Sequence, residues 1–208
     1  MNVFLNSPGI MEFELKPGDH IIGHESKMTH CDAGIKFGKI PVEEANFLNF
    51  IKKQQHVVSF TNIASVNQFI IFSYDTSKHI KQIEVVDLRK IHGDLVIEFD
   101  TFFAGTSSVL FEEFKEETLF SKIGINKTSK KIVKGNGTLF LTKIKNRELT
   151  KIKLEAGKSL VINPDEVMAF SKSCLKESDV KTVNGLGLHF VGPGDVFIYE
   201  KASFLDNK

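Results

Sequence analysis

Residues 13–22 read Phe-Glu-Leu-Lys-Pro-Gly-Asp-His-Ile-Ile, and residues 152–161 read Ile-Lys-Leu-Glu-Ala-Gly-Lys-Ser-Leu-Val. The two segments align without a gap, and both follow the pattern apolar-x-Leu-x-x-Gly-x-x-apolar-apolar. A looser third copy, with an enlarged turn, runs from Ile83-Glu-Val to Gly93-Asp-Leu-Val-Ile97. Because an internal repeat is typical of stacked or ring-like units, the sequence predicts three similar β-units in one chain.

The sequence around these copies is also typical of β-structure. Segments with alternating polar and apolar residues, or short runs of Phe, Ile and Val, are separated by turns containing Gly, Pro, Asn and Asp. This regular spacing predicts an all-β sandwich, prism or barrel. We expect a single domain over residues 1–208, with repeats at about 8–65, 66–134 and 135–202.

Only one segment resembles a helix clearly. Residues 41–54 begin with Pro41 and two acids and end near two lysines, and Val42, Ala45 and Leu48 have helical spacing. Proline in the first turn and charges that complement the helix dipole favour a short helix there. A further helical turn or two is predicted for residues 110–118.

A hairpin illustrates how one unit could fold. Leu139, Leu141, Ile152 and Leu154 can share one face across a turn near Asn146-Arg147. One such hairpin buries too little surface to be stable alone, so three copies would close a common core. Their outer edges would favour pairing with another chain.

Several motifs occur together in an order that resembles a known family. They are Leu15-Lys-Pro-Gly18, Gly135-Asn-Gly-Thr-Leu-Phe-Leu141, the segment Leu154–Asn163, Val167-Met-Ala-Phe170, Gly185-Leu-Gly-Leu188 and Gly192-Pro-Gly-Asp-Val-Phe-Ile198. This order is similar to that of the altered-inheritance-of-mitochondria family and covers about residues 8–202. The chain departs from the family pattern at the helix-like segment 41–54 and at residues 87–92, where a compact glycine turn is expected.

The resemblance implies an all-β fold of three similar units. This fold is a short double-stranded β-helix or ring-like β-sandwich, similar to the trp RNA-binding attenuation protein. The resemblance also implies assembly as a homotrimer. It carries over no enzymatic activity, no cofactor and no catalytic residue.

Glycines in this sequence are expected to shape turns. Gly18 and Gly157 each lie in a tight turn that favours a positive φ. Gly192, Pro193 and Gly194 follow the type II pattern, with proline second and glycine third. Gly185-x-Gly187 lacks the third glycine and the strand–turn–helix setting of a dinucleotide site.

His20, His24 and His30, beside Cys31, are the candidate metal ligands. On one uninterrupted strand the three histidines would share a face. Gly23 and the polar residues 25–27 interrupt that strand, and zinc needs three or four convergent ligands. We therefore expect no metal and no cofactor, and we keep a cupin-like metal- or ligand-dependent enzyme as an alternative.

Charge is unevenly distributed along the sequence. Lysine and arginine number 27 against 26 acids, which leaves a net charge of +1, yet residues 119–158 hold eleven basic residues and two acids. Lys143, Lys145, Lys151 and Lys153 are the candidate face for an anion or RNA. The favoured interpretation is that acids elsewhere in the chain balance this face. Nucleic acid is therefore an alternative partner and not the expected one.

The two cysteines, Cys31 and Cys174, predict reduced thiols in a cytoplasmic protein. Residues 1–11 lack the basic leader of a signal peptide, and no apolar run is long enough to span a bilayer. The function predicted from the sequence is a non-enzymatic homotrimeric scaffold or binding module, with an unidentified protein partner left open.

Overall fold

The computed structural model describes residues 1–7, 10–39, 57–73, 82–114, 130–143, 147–182 and 185–199. The regular secondary structure of these residues is almost entirely β-strand, so the all-β prediction is confirmed. The strands are β1 (Asn2–Ser7), β2 (Ile10–Leu15), β3 (His20–His24), β4 (Met28–Cys31), β5 (Ile35–Lys39), β6 (Val57–Asn62), β7 (Gln68–Ser73), β8 (Gln82–Asp87), β9 (Leu95–Glu98), β10 (Phe102–Thr106), β11 (Val109–Glu113), β12 (Lys130–Gly135), β13 (Thr138–Lys143), β14 (Leu149–Leu154), β15 (Ser159–Ile162), β16 (Val167–Ser171), β17 (Leu175–Thr182), β18 (Gly185–Val191) and β19 (Gly194–Tyr199). Short 3-10 turns cover Glu25–Lys27, Leu88–Lys90, Phe99–Thr101, Pro164–Glu166 and Lys172–Cys174.

The helix predicted at 41–54 lies outside the described residues. The helical turn predicted at 110–118 is wrong where the structure describes it, because β11 occupies Val109–Glu113. Val109 is buried and Leu110 is half exposed, which is the alternation of a strand. Short apolar runs do not distinguish a strand from a helical turn by periodicity alone.

The first compact unit, unit 1, comprises Met1–Val86, Phe102–Leu110 and Asn136–Lys145. It contains a four-stranded sheet A, in the order β1-β2-β7-β4, and a six-stranded sheet B, in the order β5-β6-β3-β10-β13-β8. Apolar side chains of both sheets form one buried cluster. Phe13 and Phe140, from opposite sheets, meet edge to face with their ring centroids 5.3 Å apart. Unit 1 is therefore a two-sheet sandwich with an aromatic core.

The second unit, unit 2, comprises Asp87–Thr101, Phe111–Gly135 and Asn146–Lys208. Its six-stranded sheet C has the order β11-β12-β9-β16-β19-β14, and its three-stranded sheet D has the order β15-β18-β17. Val96, Phe170 and Val196 from sheet C pack with Leu188 and Phe190 from sheet D. Unit 2 is also a two-sheet sandwich with a buried apolar interior.

Strand order is the same in three successive groups of six strands. The last strand of each group lies between its first and third strands, in the orders β2-β7-β4, β8-β13-β10 and β14-β19-β16. The fifth strand lies between the second and fourth, in the orders β3-β6-β5, β9-β12-β11 and β15-β18-β17. β1 stands outside this scheme and extends sheet A beside β2.

Finer features recur at equivalent places in these groups. A one-residue irregularity interrupts the third strand each time, between Met28 and His30, Phe102 and Ala104, and Val167 and Ala169. At the C-terminal end of that strand, a side-chain oxygen accepts a hydrogen bond from the backbone N–H of a residue in or next to the last strand of the group. The donor and acceptor pairs are Phe69 and Asp32 at 2.7 Å, Thr138 and Thr106 at 2.9 Å, and Asp195 and Ser171 at 2.9 Å.

Two of the predicted turn glycines have positive φ angles, +80° for Gly18 and +79° for Gly157. In both turns the residue after the glycine donates a backbone hydrogen bond to the residue three positions before it, which is the arrangement of a type II turn. Gly192 and Pro193 form the bend between β18 and β19, and their peptide bond is cis. Gly194 has no positive φ and begins β19, so the type II turn predicted there is wrong. A Pro-Gly pair permits that turn without requiring it.

The predicted hairpin of residues 139–154 is also wrong. β13 pairs with β10 in sheet B, whereas β14 pairs with β19 in sheet C. Alternation fixes which side chains share a face of one strand, but it does not specify which strand lies alongside.

Candidate interaction surface

The loop between β6 and β7 presents two apolar side chains to solvent. Ile63 is 66% exposed and Val66 is 60% exposed. Asn62 holds this loop from within, since its side chain is only 1% exposed. Its Nδ2 donates to the carbonyls of Leu15 and Val66 at 2.8 Å each, and its Oδ1 accepts from the N–H of Ala64 at 2.8 Å. The side-chain amide of Asn62 therefore replaces backbone pairing and fixes the shape of the loop.

Backbone hydrogen bonds anchor the same loop to its neighbours. The N–H of Gly18 donates to the carbonyl of Asn62, and the N–H of Asn62 donates to the carbonyl of Asp19, at 3.0 Å each. The N–H of Ile63 donates to the carbonyl of Gly34 at 2.9 Å. Ile63 and Val66 are thus exposed on a well-connected loop, so contact with a partner would require little ordering of it.

The outer face of sheet A is a second apolar area. Phe4 is 42%, Ile10 39% and Phe69 36% exposed. In the register of the sheet, Phe4 lies opposite Glu12 and Phe69 opposite Glu14. Aromatic and acidic side chains therefore alternate across this face.

Glu14 is fixed on that face by two amides. Asn2 Nδ2 and Asn67 Nδ2 each donate to its carboxylate at 2.7 Å. The hydrogen bond from Asn2, followed by that from Asn67, lowers the pKa of the Glu14 carboxyl. The carboxylate stays charged next to the apolar residues.

Exposed apolar side chains are concentrated on unit 1. Of the eleven large apolar side chains that are exposed in the described ranges, nine lie in sheets A and B of unit 1 or in the loop between β6 and β7. Leu110 lies on β11 of sheet C, and Val161 belongs to unit 2. Scattered exposed apolar residues are ordinary on any protein surface. Their concentration on one of two similarly built sandwiches indicates a contact surface.

Two lysines of the predicted anion face, Lys143 and Lys151, lie close to acids of their own unit. Lys143 Nζ is 3.5 Å from Glu84 in unit 1, and Lys151 Nζ is 3.1 Å from Asp195 in unit 2. Lys153 is exposed on β14, and Lys145 lies outside the described residues. Other lysines of residues 119–158 pair likewise, Lys130 with Glu98 at 3.2 Å and Lys134 with Glu112 at 2.6 Å. These contacts favour the interpretation that acids of the chain balance the basic segment.

Asp195 is the most buried carboxylate of this group, with 2% exposure. Its Oδ2 accepts a hydrogen bond from the backbone N–H of His92 at 2.8 Å. Lys151 Nζ lies near Oδ1 as an ion pair without hydrogen-bond geometry, and it donates to the carbonyl of Lys90 at 3.2 Å. Asp195 therefore ties the β8–β9 connection to β14 and β19 and has a structural role.

Replacing Asp195 by alanine should lower the free energy of unfolding by about 2 kcal/mol, because the backbone N–H of His92 loses its charged acceptor. The measurement is urea unfolding followed by far-UV circular dichroism. Lys153→Ala is the control, since Lys153 is exposed on β14 opposite Asp195. Equal stability of the two variants would show that the carboxylate contributes nothing.

The three candidate metal ligands do not converge. His20 and His24 lie on β3 in sheet B, whereas His30 lies on β4 in sheet A. His24 Nδ1 is instead 2.8 Å from the hydroxyl of Ser26. Across the described ranges, no three His, Cys, Asp or Glu side chains come together as a metal site.

Neither cysteine is placed as an activated nucleophile. Both thiols are free of disulfides. Burial raises the pKa of the Cys174 thiol to about 11, and Sγ donates to the carbonyl of Ser171 at 3.0 Å. Burial also raises the pKa of Cys31, with a smaller contribution from Asp32. Raised values keep both groups protonated at neutral pH, which suppresses their reactivity.

A depression in unit 2 is too tight for a ligand. It lies between Val167, Met168 and Leu188, with the Lys130–Glu98 ion pair as one wall, and it has no interior space for even a water molecule. Ligand pockets usually hold about 300–1,000 Å³. The exposed apolar residues of unit 1 thus remain the best-supported functional feature.

Sequence reasoning did not identify the residues of this surface. An apolar residue on an alternating strand looks the same whether it faces the core or solvent. The one sequence feature that could have indicated these exposed residues is a lack of charge in the segments that hold them. Residues 2–7 and residues 62–67 contain no charged residue.

The sequence and the fold of this chain are similar to those of known proteins. A family model described as mitochondrial biogenesis AIM24 matches residues 3–199. Among solved structures, a crystal structure of a protein from Streptococcus pyogenes is similar in fold, with a TM-score of 0.66 and 13% identity over 96% of this chain and 92% of that chain. No curated protein matches the sequence. Within the described part of the chain, no helix has the length and hydropathy to cross a membrane.

Proposed function

We propose, given that this chain belongs to the mitochondrial biogenesis AIM24 family, that it is a non-enzymatic β-protein acting as a homotrimeric scaffold or binding module. The observation that carries this proposal is the concentration of exposed apolar side chains on unit 1. Unit 2 has the same two-sheet construction, and among its described side chains the large exposed apolar ones are Val161 and, on β11 of sheet C, Leu110. The two-sheet construction alone therefore does not explain why unit 1 exposes more large apolar side chains than unit 2.

The recurring strand orders support the idea of three modules in one chain. The first, third and last strands of each group form one three-stranded set, and the other three strands form a second set. These groups favour modules of about 10–73, 82–143 and 149–199, with boundaries about ten residues later than those expected from the sequence motifs. β1 would then be an addition to the first module.

One module carries an extension at the proposed contact surface. The connection between the last two strands has two residues in the second and third modules, 136–137 and 192–193, but five residues in the first, 63–67. The longer connection is the loop that exposes Ile63 and Val66. An extension that is both apolar and pinned by Asn62 supports a binding role for this loop.

The alternatives have less support from the described residues. A cupin-like enzyme would need convergent ligands, and the candidate histidines lie on two sheets. A nucleic-acid face would need unpaired lysines, whereas most described lysines of the basic segment lie beside acids. The cytoplasmic location stays a prediction from the cysteine usage.

Light scattering coupled to size-exclusion chromatography tests the assembly. We expect three times the chain mass of 23.4 kDa, or a whole multiple of that trimer mass, at micromolar concentration. Replacing Ile63 and Val66 together by serine should weaken trimer formation roughly a hundredfold, because two aliphatic side chains would no longer be buried.

Val161→Ser is the matched control, since Val161 is an exposed apolar residue of unit 2. It should keep the wild-type mass. A single-chain mass for the wild-type protein across the micromolar range would contradict the proposal. Equal behaviour of the unit 1 and unit 2 variants would contradict the role of the loop.

A further inference from the structure

We propose that β1 is the place where two copies of this chain pair edge to edge, antiparallel, about a twofold axis at Phe4. This contact rests on the proposed self-association through unit 1, and it goes beyond a threefold assembly because its symmetry is twofold. The partner is thus a second copy of the same chain.

Among the strands that the structure describes, only β2 pairs with β1, so the other backbone edge of β1 has no described partner. β1 lies at the end of sheet A and pairs with β2 from Asn2 opposite Glu14 to Ser7 opposite Ile10. In an edge strand every second residue directs its N–H and C=O away from the sheet. An irregularity between Leu5 and Ser7 leaves residues 2–5 as a regular, extended stretch.

The other edges of the four sheets carry features that prevent pairing. β4 and β15 have only four residues each. β5, β8, β11, β14 and β17 each contain at least two charged residues. Short length and charge are the usual means by which natural sheets protect an edge. β1 has six residues and no charge, so it lacks both forms of protection.

Exposure along β1 agrees with an edge that becomes covered. Val3 is 36%, Phe4 42% and Leu5 62% exposed. A six-residue strand with three exposed apolar side chains and no charge is an aggregation hazard when it stays open. Pairing removes both the open backbone and the apolar surface from water.

A second copy suits this edge because β1 is compatible with itself. Two uncharged strands bring no like charges together. By contrast, two copies of β14 would face each other with Lys151 and Lys153, and two copies of β8 with Glu84 and Asp87. Like charges directly opposite each other destabilise a strand pair.

The faces of β1 define the register. Val3 and Leu5 lie opposite the buried Phe13 and Met11, so they share the core-facing side, whereas Phe4 lies opposite Glu12 on the outer side. A twofold axis perpendicular to the sheet leaves the core-facing sides of both copies on one face of the joined sheet and their outer sides on the other. It places Phe4 opposite the same residue of the second copy, and Val3 opposite Leu5. Aromatic and aliphatic cross-strand pairs of this kind stabilise a sheet.

Charge substitution at Phe4 tests the pairing. Phe4→Lys alone and Phe4→Glu alone each place like charges across the axis, so self-association through β1 should weaken at least about tenfold and the mass should halve. An equimolar mixture of the two variants places opposite charges across the axis and should restore the wild-type mass. The measurement is light scattering over a concentration series.

Val161→Lys is the control, because Val161 is exposed in unit 2, and it should keep the wild-type mass. Phe69→Lys distinguishes the edge from the face, because Phe69 is exposed on the same outer face but on the interior strand β7. If it halves the mass as Phe4→Lys does, the contact covers the face and not the edge. Failure of the mixture to recover would overturn the twofold register, and binding of an unrelated extended peptide by a monomeric wild-type protein would overturn the second copy as partner.

The outcomes separate this pairing from the proposed trimer. If Phe4→Lys halves the mass and leaves three chains, both contacts hold. If it leaves one chain, the β1 contact holds and the threefold assembly fails. If Phe4→Lys keeps a wild-type mass of three chains, the β1 contact is overturned and the trimer stands. A single-chain mass for the wild-type protein overturns both.

Discussion

Replacing Phe72 by alanine is expected to lower the free energy of unfolding by about 3–5 kcal/mol, the largest loss at any single side chain of unit 1. Phe72 is fully buried. Its ring meets those of Phe13, Phe60 and Phe103 at centroid distances of 5.7, 5.3 and 5.8 Å, all edge to face. The backbone of two hydrogen-bonded sheets cannot collapse into the space that the ring leaves, so a cavity remains.

Far-UV circular dichroism in a urea series measures this loss, with Phe69→Ala as the control. Phe69 is three residues earlier on β7 and partly exposed on the other face of sheet A, so its truncation should cost well under about 1 kcal/mol. Equal destabilisation by the two variants would contradict the placement of Phe72 in the core.

Gly23 provides a second check on the same cavity. A Cβ built at Gly23 would lie 2.6 Å from the Phe72 ring, too close for the two to coexist without movement. Gly23→Ala should therefore destabilise the wild-type protein but cost less, or stabilise, in the Phe72→Ala background. Additive effects of the two substitutions would contradict their contact.

Replacing Gly192 by alanine should destabilise the protein by about 3 kcal/mol, the upper range for overpacking. The added Cβ would overlap the carbonyl oxygen of Glu155 and lie 2.7 Å from that of Leu154. The carbonyl of Glu155 is held in place by the hydrogen bonds of its turn. The N–H of Lys158 donates to Glu155 at 3.1 Å, and the N–H of Gly192 donates to Lys158 at 2.9 Å.

Gly157→Ala is the matched control for Gly192→Ala. A Cβ at Gly157 meets no atom within 4 Å, although its φ is +79°. Only the left-handed backbone opposes alanine there, at about 1 kcal/mol. The urea midpoints of the two variants give the two losses of stability. A larger loss of stability for Gly157→Ala would show that the cost of a left-handed backbone exceeds the cost of the contact between the added Cβ of Gly192→Ala and the Glu155 carbonyl.

Local features of the fold were predictable from sequence because they depend on neighbouring residues. Alternation gave the strands, and Pro17-Gly18 and Ala156-Gly157 gave turns whose glycines have positive φ. Strand partners were not predictable, since the period of two is the same for every pairing. Leu139 and Ile152 therefore fit one hairpin in the sequence but lie in different sheets in the structure.

The candidate surface was only partly predictable for a similar reason. Open strand edges were expected, but the sequence did not say which edge lacked protection. That property emerges when the strand order makes β1 terminal and leaves its uncharged residues uncovered. The basic segment is prominent in the sequence but not as a charged surface of the fold. Acids distant in sequence, such as Glu84 and Asp195, lie beside its lysines.

Unit 1 requires residues up to Lys145, whereas unit 2 already begins at Asp87. A ribosome must therefore deliver about two thirds of the polypeptide before the first sandwich has all its strands, and by then it has delivered the opening segments of the second. A cut between residues 87 and 145 therefore leaves neither piece with all the residues of one sandwich. Every contiguous stretch of gene that encodes all of one sandwich also encodes strands of the other, so the two sandwiches are inherited and duplicated together.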